Sequence, residues 1–277
     1  MIRYLSSRLF ARLATLAGLA LTLGGCTGTQ APSPTTLHID DSITAVSHDS
    51  RVRYIVLHYT KTAAQDSLKL LSQGQVSTHY LITNDTPAKI YRLVDETRSA
   101  WHAGQSRWHQ QVSLNPVSIG IELVNSGRKD LPGGKTSWEP YAAPQIQTLI
   151  LLLQDLIARH GVRPENIVGH SDIAPQRKTD PGPLFPWKQL AQAGIGRWYD
   201  ETLVASNWVT LQQEGTPDVA WFQQQLARLG YAVPQHGRLD RDTQNVIAAF
   251  QMHYRPARYD GRPDAETAAI MMALPGA

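Results

Sequence analysis

The chain has 277 residues, one cysteine and a formal net charge of +3, with 42% hydrophobic and 18% charged residues. This composition excludes a wholly disordered chain, and the length is enough for one large or two modest folded domains. A single cysteine excludes an intramolecular disulfide and a zinc site built from several cysteines, and so small a net charge gives no support for nucleic-acid binding.

Residues 1–25 have the features of an export signal and not of a folded segment. Arg3, Arg8 and Arg12 precede an apolar run of 11 residues, 13–23, which is shorter than the roughly 20 residues that a membrane-spanning helix needs. These arginines are the only charged residues in the segment, so the rest of the chain is formally neutral. The net charge therefore belongs to the export signal and says nothing about binding partners.

A cysteine follows this segment directly. The sequence Leu-Gly-Gly-Cys, ending at Cys26, resembles the lipobox of bacterial lipoproteins, whose cysteine becomes the lipidated first residue of the mature chain. The resemblance implies a membrane anchor on Cys26, and Thr27 in place of an aspartate implies the outer membrane of a Gram-negative bacterium, facing the periplasm. A plain signal peptide with an incidental cysteine is the alternative. Residues 26–40 are rich in small and polar residues and predict a flexible tether.

Strands and helices alternate between residues 41 and 200. Short apolar runs predict strands at 52–57, 79–83, 89–94, 118–124 and 167–170. Apolar residues at helical spacing predict a helix over 144–160, with a proline in its first turn and Gly161 after its end. Residues 64–72 are a candidate for an earlier helix. This order predicts an α/β domain over residues 41–200, a mixed sheet flanked by helices.

The C-terminal segment has a different pattern, which predicts a small all-α domain over residues 205–277. A helix from Val219 to Leu229 ends at Gly230. The pattern Gly-Arg-x-Asp-x-acid-Thr then occurs twice, 24 residues apart, and places Asp240 and Asp264 where each can cap a new helix. We refer to residues 205–277 as the helical module.

Three polar residues suggest a metal site in the α/β domain. His58 and His170 lie at the ends of two predicted strands, and Asp180 follows ten residues after His170. Two imidazoles and one carboxylate form a suitable ligand set for a catalytic zinc ion, with the fourth position open. Taken alone, the pattern leaves open that both histidines are structural.

Five separated motifs surround these residues and occur in a fixed order. They are Val56-Leu57-His58-Tyr59-Thr60, Ser77-Thr78-His79-Tyr80-Leu81-Ile82, Ala100-Trp101-His102-Ala103-Gly104, Ser118-Ile119-Gly120-Ile121-Glu122-Leu123, and the run from Val168 to Gly182. Together they resemble the zinc-dependent N-acetylmuramoyl-L-alanine amidases, a family that includes phage-lysozyme-like amidases and peptidoglycan recognition proteins. The resemblance covers about residues 45–190. With the lipobox and the helical module, the chain is most similar to outer-membrane lipoprotein amidases.

The resemblance implies a function and a role for each residue. His58, His170 and Asp180 match the ligands of one zinc ion per chain, Glu122 the general base, and Lys178 the residue that stabilises the transition state. The implied reaction is hydrolysis of the amide bond between N-acetylmuramic acid, or its 1,6-anhydro form, and L-alanine in peptidoglycan and muropeptides. Some relatives place a tyrosine where this chain has Thr78, so we expect no tyrosine-assisted mechanism.

The physical chemistry agrees with these roles. Zinc polarises a carbonyl group and lowers the pKa of its bound water toward ~7. A carboxylate such as Glu122 can carry a proton from that water to the leaving amine, and a cation such as Lys178 can offset the negative charge that develops on the carbonyl oxygen. Ile119 and Ile121 predict that one face of their strand is buried, which turns Glu122 toward the opposite side and a cleft. The alternatives are a surface carboxylate for Glu122 and a solvated loop charge for Lys178.

Three further residues are candidates for substrate binding. His79 and His102 suit either a substrate contact or a group that orients a metal ligand, and both also suit an ordinary structural histidine. Trp101 could stack on a sugar ring, but a tryptophan at this place is as often part of a core.

The helical module resembles the peptidoglycan-binding domain found in many cell-wall hydrolases, and the alternative is a folded appendage without a ligand. The expected partners are therefore peptidoglycan, muropeptides and, through Cys26, a membrane, with no nucleic acid. Two other functions stay open at this point. One is a peptidoglycan receptor without activity, and the other is a zinc hydrolase that cleaves a different peptidoglycan bond.

Overall fold

The computed structural model describes residues 37–275. The predicted export signal, Cys26 and most of the predicted tether lie outside these residues. In the described part, no helix combines the length and apolar character needed to cross a bilayer. The chain divides into two compact units at residue 47. Residues 37–47 are exposed and have no regular secondary structure, and the strands and helices of the described part lie within residues 48–275.

Nine strands form one five-stranded sheet and two small hairpins. The strands are β1 (Tyr54–Tyr59), β2 (Tyr80–Ile82), β3 (Ile90–Arg92), β4 (Arg107–Trp108), β5 (Gln111–Val112), β6 (Ser118–Leu123), β7 (Arg128–Asp130), β8 (Thr136–Trp138) and β9 (Ile167–Gly169). The large sheet has the order β3-β2-β6-β1-β9, in which only β3 runs antiparallel to its neighbour. The predicted mixed α/β sheet is confirmed.

Within residues 48–275, eight α-helices flank the strands. They are α1 (Ala64–Gln73), α2 (Ala143–His160), α3 (His170–Ile173), α4 (Trp187–Gln192), α5 (Glu201–Glu214), α6 (Val219–Leu229), α7 (Arg241–Tyr254) and α8 (Ala265–Ala273). The prediction of a helix over 144–160 is confirmed as α2, which ends at Gly161 in the left-handed conformation with φ 65°. A residue with a side chain is strained at such a φ, so glycine suits this helix end.

Helix α2 covers one face of the sheet. Its buried residues Leu149 and Leu153 join the same apolar cluster as Ile55 of β1 and Ile121 of β6. Because side chains alternate along a strand, the neighbours of these two strand residues point to the other face. That other face carries His58 and Glu122, so α2 anchors the sheet from behind the site.

The helical module packs against the second face of the sheet. Tyr54 and Val56 of β1 lie in one continuous apolar cluster with Phe222, Leu226 and Phe250 of the module. Burial of shared apolar surface stabilises both parts together. The α/β domain and the helical module therefore belong to one compact unit.

Several elements were not predicted from the sequence. The strands of the two hairpins are only two or three residues long, and all three residues of β7 are exposed. Helix α5 buries only Leu211. Strands this short, and a helix that buries a single residue, lack the periodicity on which such predictions rest.

The two copies of the Gly-Arg-x-Asp pattern are held by the same device. Asp240 and Asp264 accept hydrogen bonds from the backbone N–H groups of Thr243 and Thr267, which confirms both predicted helix caps. A fully buried glutamine side chain binds each copy. Gln223 donates to Arg238 O and Thr243 Oγ1 and accepts from the Gly237 N–H. Gln251 makes the same three bonds in the second copy, with Arg262 O, Thr267 Oγ1 and the Gly261 N–H. The repeat is thus a turn that occurs twice, each time hydrogen-bonded to a glutamine of the preceding helix.

Candidate active site

The carboxyl ends of the parallel strands bring the site residues together. His58 of β1 and Glu122 of β6 are directly paired across the two strands, so their side chains lie on the same face. His170 follows β9, the neighbour of β1 on the other side, as the first residue of α3. Sites of α/β proteins commonly form at this edge of a parallel sheet.

Asp180 is fixed to the segment that carries His170. The backbone N–H of Ser171 donates a hydrogen bond of 2.8 Å to the carbonyl oxygen of Asp180. This bond closes the intervening loop and turns the Asp180 carboxylate back toward His170, whose Nδ1 lies 3.0 Å from Asp180 Oδ2.

His58, His170 and Asp180 form a compact buried cluster. His58 Nδ1 lies 2.9 Å from His170 Nδ1 and 3.0 Å from Asp180 Oδ2. Within residues 37–275, this is the one group of three or more His, Cys, Asp or Glu side chains close enough to share a metal ion. A tetrahedral zinc ion about 2.0–2.1 Å from each ligand holds its ligands roughly 3.3 Å apart. The geometry and the donor types therefore fit zinc.

Hydrogen bonds behind the cluster assign the tautomer of His58. Ser118 Oγ donates its hydrogen to Leu114 O at 2.7 Å, so it accepts from His102 Nε2 at 3.1 Å. His102 Nδ1 is then an acceptor for His58 Nε2–H, 3.0 Å away. This chain of donors leaves the lone pair of His58 Nδ1 directed at the cluster.

The second imidazole is oriented in the same way. His170 Nε2 lies 3.1 Å from the carbonyl oxygen of Ala103, which can only accept. Arg177 Nη2 lies 3.3 Å from the same nitrogen, but it donates its two hydrogens to the carbonyl oxygens of Ala103 and Gln105. Nε2 therefore carries the hydrogen, and Nδ1 of His170 presents its lone pair to the cluster. Fixing a ligand's free nitrogen in this way is common in metal sites.

The charges in the cluster suit a cation. Burial and the neighbouring His170 lower the pKa of His58 to about 4, so its imidazole is neutral at physiological pH. Burial raises the pKa of Asp180, but its close contacts with His170 and His58 outweigh burial and hold that pKa well below its ordinary value, so the carboxylate is charged. A neutral imidazole and a charged carboxylate are the states in which these side chains bind zinc.

Glu122 lies beside the cluster with an uncommitted carboxyl group. Its Oε2 atom is buried and has no hydrogen-bond partner among the described residues. Burial, aided by the negative charge of Asp180 and opposed by the positive charge of Lys178, raises the pKa of Glu122 to about 8. A carboxyl with a pKa near neutrality can both take up and release a proton.

A cavity of about 280 Å³ opens above the cluster. Glu122 and Lys178 line it together with the three cluster residues, so all five residues predicted to carry the chemistry meet in one place. Trp101 lies at the same cavity with 65% of its surface exposed. Lys61, Arg177 and the polar residues Ser77 and Thr179 add to the lining.

The structure separates the candidates for substrate binding. His102 lines the cavity, yet both of its ring nitrogens are engaged within the protein. His79 is buried and absent from the cavity lining, because its Nδ1 accepts from the Gly120 N–H and its Nε2 faces Arg98 O. A structural role fits His79, and the prediction of a substrate contact is not supported by its position. Of the three candidates, only Trp101 has a free surface in the cavity.

Sequence reasoning missed two features that shape the site. A Cβ atom on Gly120 would lie 2.4 Å from Cγ of His102, so the absence of a side chain gives that ring its place. A glycine inside a strand is the signal that could have indicated such a close approach. Asp172, two residues after His170, is buried and contacts the helical module, and its place within a recognised motif was the only hint.

The family comparisons agree with this geometry. The N-acetylmuramoyl-L-alanine amidase family model matches residues 48–183, and a peptidoglycan binding domain family model matches residues 215–271. A curated relative, the N-acetylmuramoyl-L-alanine amidase AmiD of Escherichia coli (strain K12), is 44% identical over 266 residues, which cover 94% of this chain and 95% of the relative.

Two solved structures resemble the whole described fold. E. coli AmiD in complex with the substrate anhydro-N-acetylmuramic acid-L-Ala-D-gamma-Glu-L-Lys has a TM-score of 0.77 at 44% identity, covering 85% of this chain and 93% of that chain. AmpDh3 from Pseudomonas aeruginosa in complex with anhydromuramic pentapeptide has a TM-score of 0.78 at 40% identity, covering 87% and 97%. With matches of this extent, the chain belongs to the N-acetylmuramoyl-L-alanine amidase family.

Proposed function

We propose that this chain hydrolyses the amide bond between N-acetylmuramic acid, or its 1,6-anhydro form, and L-alanine in peptidoglycan and muropeptides, with one zinc ion held by His58, His170 and Asp180. One observation carries the proposal. Two imidazole lone pairs and a carboxylate converge beneath a cavity that also contains Glu122 and Lys178. The complexes of the two relatives with anhydromuramic peptides support this choice of substrate.

A zinc ion held here would supply a Lewis acid, able to polarise a carbonyl group and to make a water molecule acidic at neutral pH. The protein's own contribution is to hold the donor atoms ready. His102 and Ala103 orient His58 and His170, so neither ring has to turn before it binds a cation.

Glu122 is the general base of the proposed reaction. It takes a proton from the attacking water as the oxygen–carbon bond forms, and it returns that proton to the nitrogen of L-alanine as the carbon–nitrogen bond breaks. Its free Oε2 and its pKa of about 8 suit a group that must hold a proton between the two events.

Lys178 stabilises the negative charge that develops on the carbonyl oxygen. It lines the cavity two residues before Asp180, and its positive charge reaches both Glu122 and His58, since it lowers the pKa of each. A fixed cation beside a developing oxyanion favours the transition state over the substrate.

The remaining surface of the cavity suits a glycopeptide. The exposed ring of Trp101 offers a flat apolar face for the sugar. Lys61 and Arg177 place positive charge at the cavity, which complements the carboxylates of a stem peptide. Binding of peptidoglycan by the helical module would add a second attachment to the same polymer and raise its effective concentration.

We also propose that Cys26 carries a lipid anchor that holds the enzyme at the outer membrane, facing the periplasm. The lipobox-like sequence and Thr27 support this. Mass spectrometry of the mature protein should show an acylated N-terminal cysteine, and Cys26→Ala should release the protein from the membrane fraction. An unmodified N-terminus at another residue contradicts the anchor.

Defined muropeptides provide the test of activity. Purified protein with zinc should release free peptides that begin with L-alanine, and a chelator should stop the release. Cleavage at a peptide crosslink would show a different peptidoglycan hydrolase. Binding of muropeptides without any cleavage, by protein lacking stoichiometric zinc, would show a receptor.

A further inference from the structure

The buried carboxylate of Asp172 joins the helical module to the metal-binding segment. Asp172 lies on α3, two residues after His170, and is 1% exposed. Its Oδ2 accepts hydrogen bonds from the Gly169 N–H at 2.7 Å and from His253 Nδ1 at 2.8 Å, and its Oδ1 accepts from the Tyr231 hydroxyl at 2.8 Å. Two of its three donors therefore come from the helical module.

Both donors from the module are held firmly. The ring of His253 stacks on Trp187 with a centroid distance of 3.8 Å and an interplanar angle of 10°. The ring of Tyr231 packs edge-on against Trp108 with a centroid distance of 4.9 Å. Since His253 and Tyr231 are 6% and 3% exposed, neither donor can leave Asp172 for water without local opening of the core.

Asp172 is placed so that its movement would displace two of the three metal-binding side chains. His170 precedes it on the same short helix, and the Ser171 N–H holds the backbone of Asp180. A buried carboxylate that loses its donors becomes unpaired and favours a shift toward water. His58, on β1 in the sheet, would stay in place while its two partners moved.

We propose that Tyr231 and His253 are positioning residues for the metal centre, so that the helical module sets the zinc affinity of the α/β domain through Asp172. The proposal rests on the proposed function. It gives the helical module a role at the active site that is separate from any binding of peptidoglycan. Neither residue lines the catalytic cavity, and Asp172 is the residue of the metal-binding segment to which both are hydrogen-bonded.

The variants Tyr231→Phe and His253→Phe each remove one donor and keep a ring of similar size for packing. We expect zinc affinity, measured on metal-free protein by competition with a chelator, to fall about 10-fold for each and up to about 100-fold for the pair. At saturating zinc, kcat for a muropeptide should fall while KM changes less than about twofold. Tyr254→Phe is the matched control, because it removes a hydroxyl from a buried tyrosine next to His253 that has no bond to Asp172.

A second comparison isolates the carboxylate. Asp172→Asn removes the negative charge that needs the donors, so Tyr231→Phe should weaken zinc binding less in that background than in wild type. Rescue of this kind is not expected if Tyr231 only helps the module to fold. Thermal denaturation in excess chelator reports that folding contribution separately.

The inference is overturned if Tyr231→Phe and His253→Phe lower the stability of the metal-free protein but bind zinc as tightly as Tyr254→Phe. If His253→Phe fails to fold, Tyr231→Phe decides alone, because it removes a single oxygen atom. Wild-type protein that binds no zinc would overturn the proposed metal centre as well. Tight zinc binding by active wild-type protein and by all the variants would overturn only the role of the module.

Discussion

The Nε2 atom of His58 lies 3.0 Å from Nδ1 of His102, and the hydroxyl of Ser118 holds the far side of the His102 ring. His102 therefore supports His58, the proposed metal ligand, although it also lines the cavity. The relationship fixes which nitrogen of His58 is free and turns that nitrogen toward His170 and Asp180.

Removal of this support should weaken metal binding. We expect His102→Ala to lower zinc affinity about 10- to 100-fold, because His58 loses the partner that sets its tautomer and ring orientation. Competition with a chelator measures the affinity, and His236→Ala in the helical module serves as a control. An affinity equal to that of wild type would show that His58 does not depend on His102.

Gly120 should be needed for the same reason. A methyl group at this position would lie 2.4 Å from Cγ of His102 and must displace the ring. We expect Gly120→Ala to reduce zinc affinity in the wild-type background and to have little further effect in His102→Ala, where the ring is absent. If Gly120→Ala reduced zinc affinity by the same factor in both backgrounds, the methyl group would not act through the His102 ring.

Glu122 should be needed for cleavage and not for metal binding. Glu122→Gln keeps the size of the side chain and removes its ability to accept a proton, so we expect kcat to fall about 10²- to 10⁴-fold. Metal analysis should still find one zinc per chain. Near-normal turnover would remove Glu122 from the proposed mechanism, and loss of zinc would show that it acts as a ligand.

Stability at low pH should report an ion cluster outside the cavity. Glu96 accepts hydrogen bonds from Arg159 and His160. The bonds from Arg159, against the opposing effect of burial, lower the pKa of Glu96 from 4.5 to about 2. The unfolded chain therefore binds more protons between these values, and the stabilisation is complete above about pH 4.5 and lost as the pH falls toward 2.

Glu96→Gln tests this dependence. The variant should have a lower free energy of unfolding than wild type at neutral pH, and the difference should shrink steadily from about pH 5 to pH 3. Urea denaturation across this range measures the difference, with exposed Asp85→Asn as the control. A difference between Glu96→Gln and wild type that does not change with pH would contradict the assignment.

The sequence was most informative where a local pattern and a buried face coincide. Strand β1 is predictable because its apolar run is buried on both faces, and that run places His58 near the end of the strand. Helix α2 is predictable because its apolar residues recur at helical spacing along its whole length. The strand positions of His58 and Glu122 follow from such patterns. Their pairing across β1 and β6 depends on the order of strands in the sheet, which no local pattern specifies.

The contacts that support the site could not be found by local reasoning. Asp172 binds Tyr231 and His253, which are 59 and 81 residues away in the chain. The packing of the helical module on the sheet creates these contacts, and nothing in the short motif around Asp172 indicates its distant partners. The hairpin strands were missed because they are only two or three residues long, and α5 was missed because it buries too little apolar surface to impose a period on the sequence.

Mass spectrometry of the products from a crosslinked muropeptide, in the presence of zinc and after chelation, tests the central claim most directly. We predict a peptide-free muramic acid and a free peptide that begins with L-alanine, formed only when zinc is present, with all peptide crosslinks intact. Products cut within the peptide, or the same amide cleavage in metal-free protein, would contradict the assignment of this chain as a zinc-dependent N-acetylmuramoyl-L-alanine amidase.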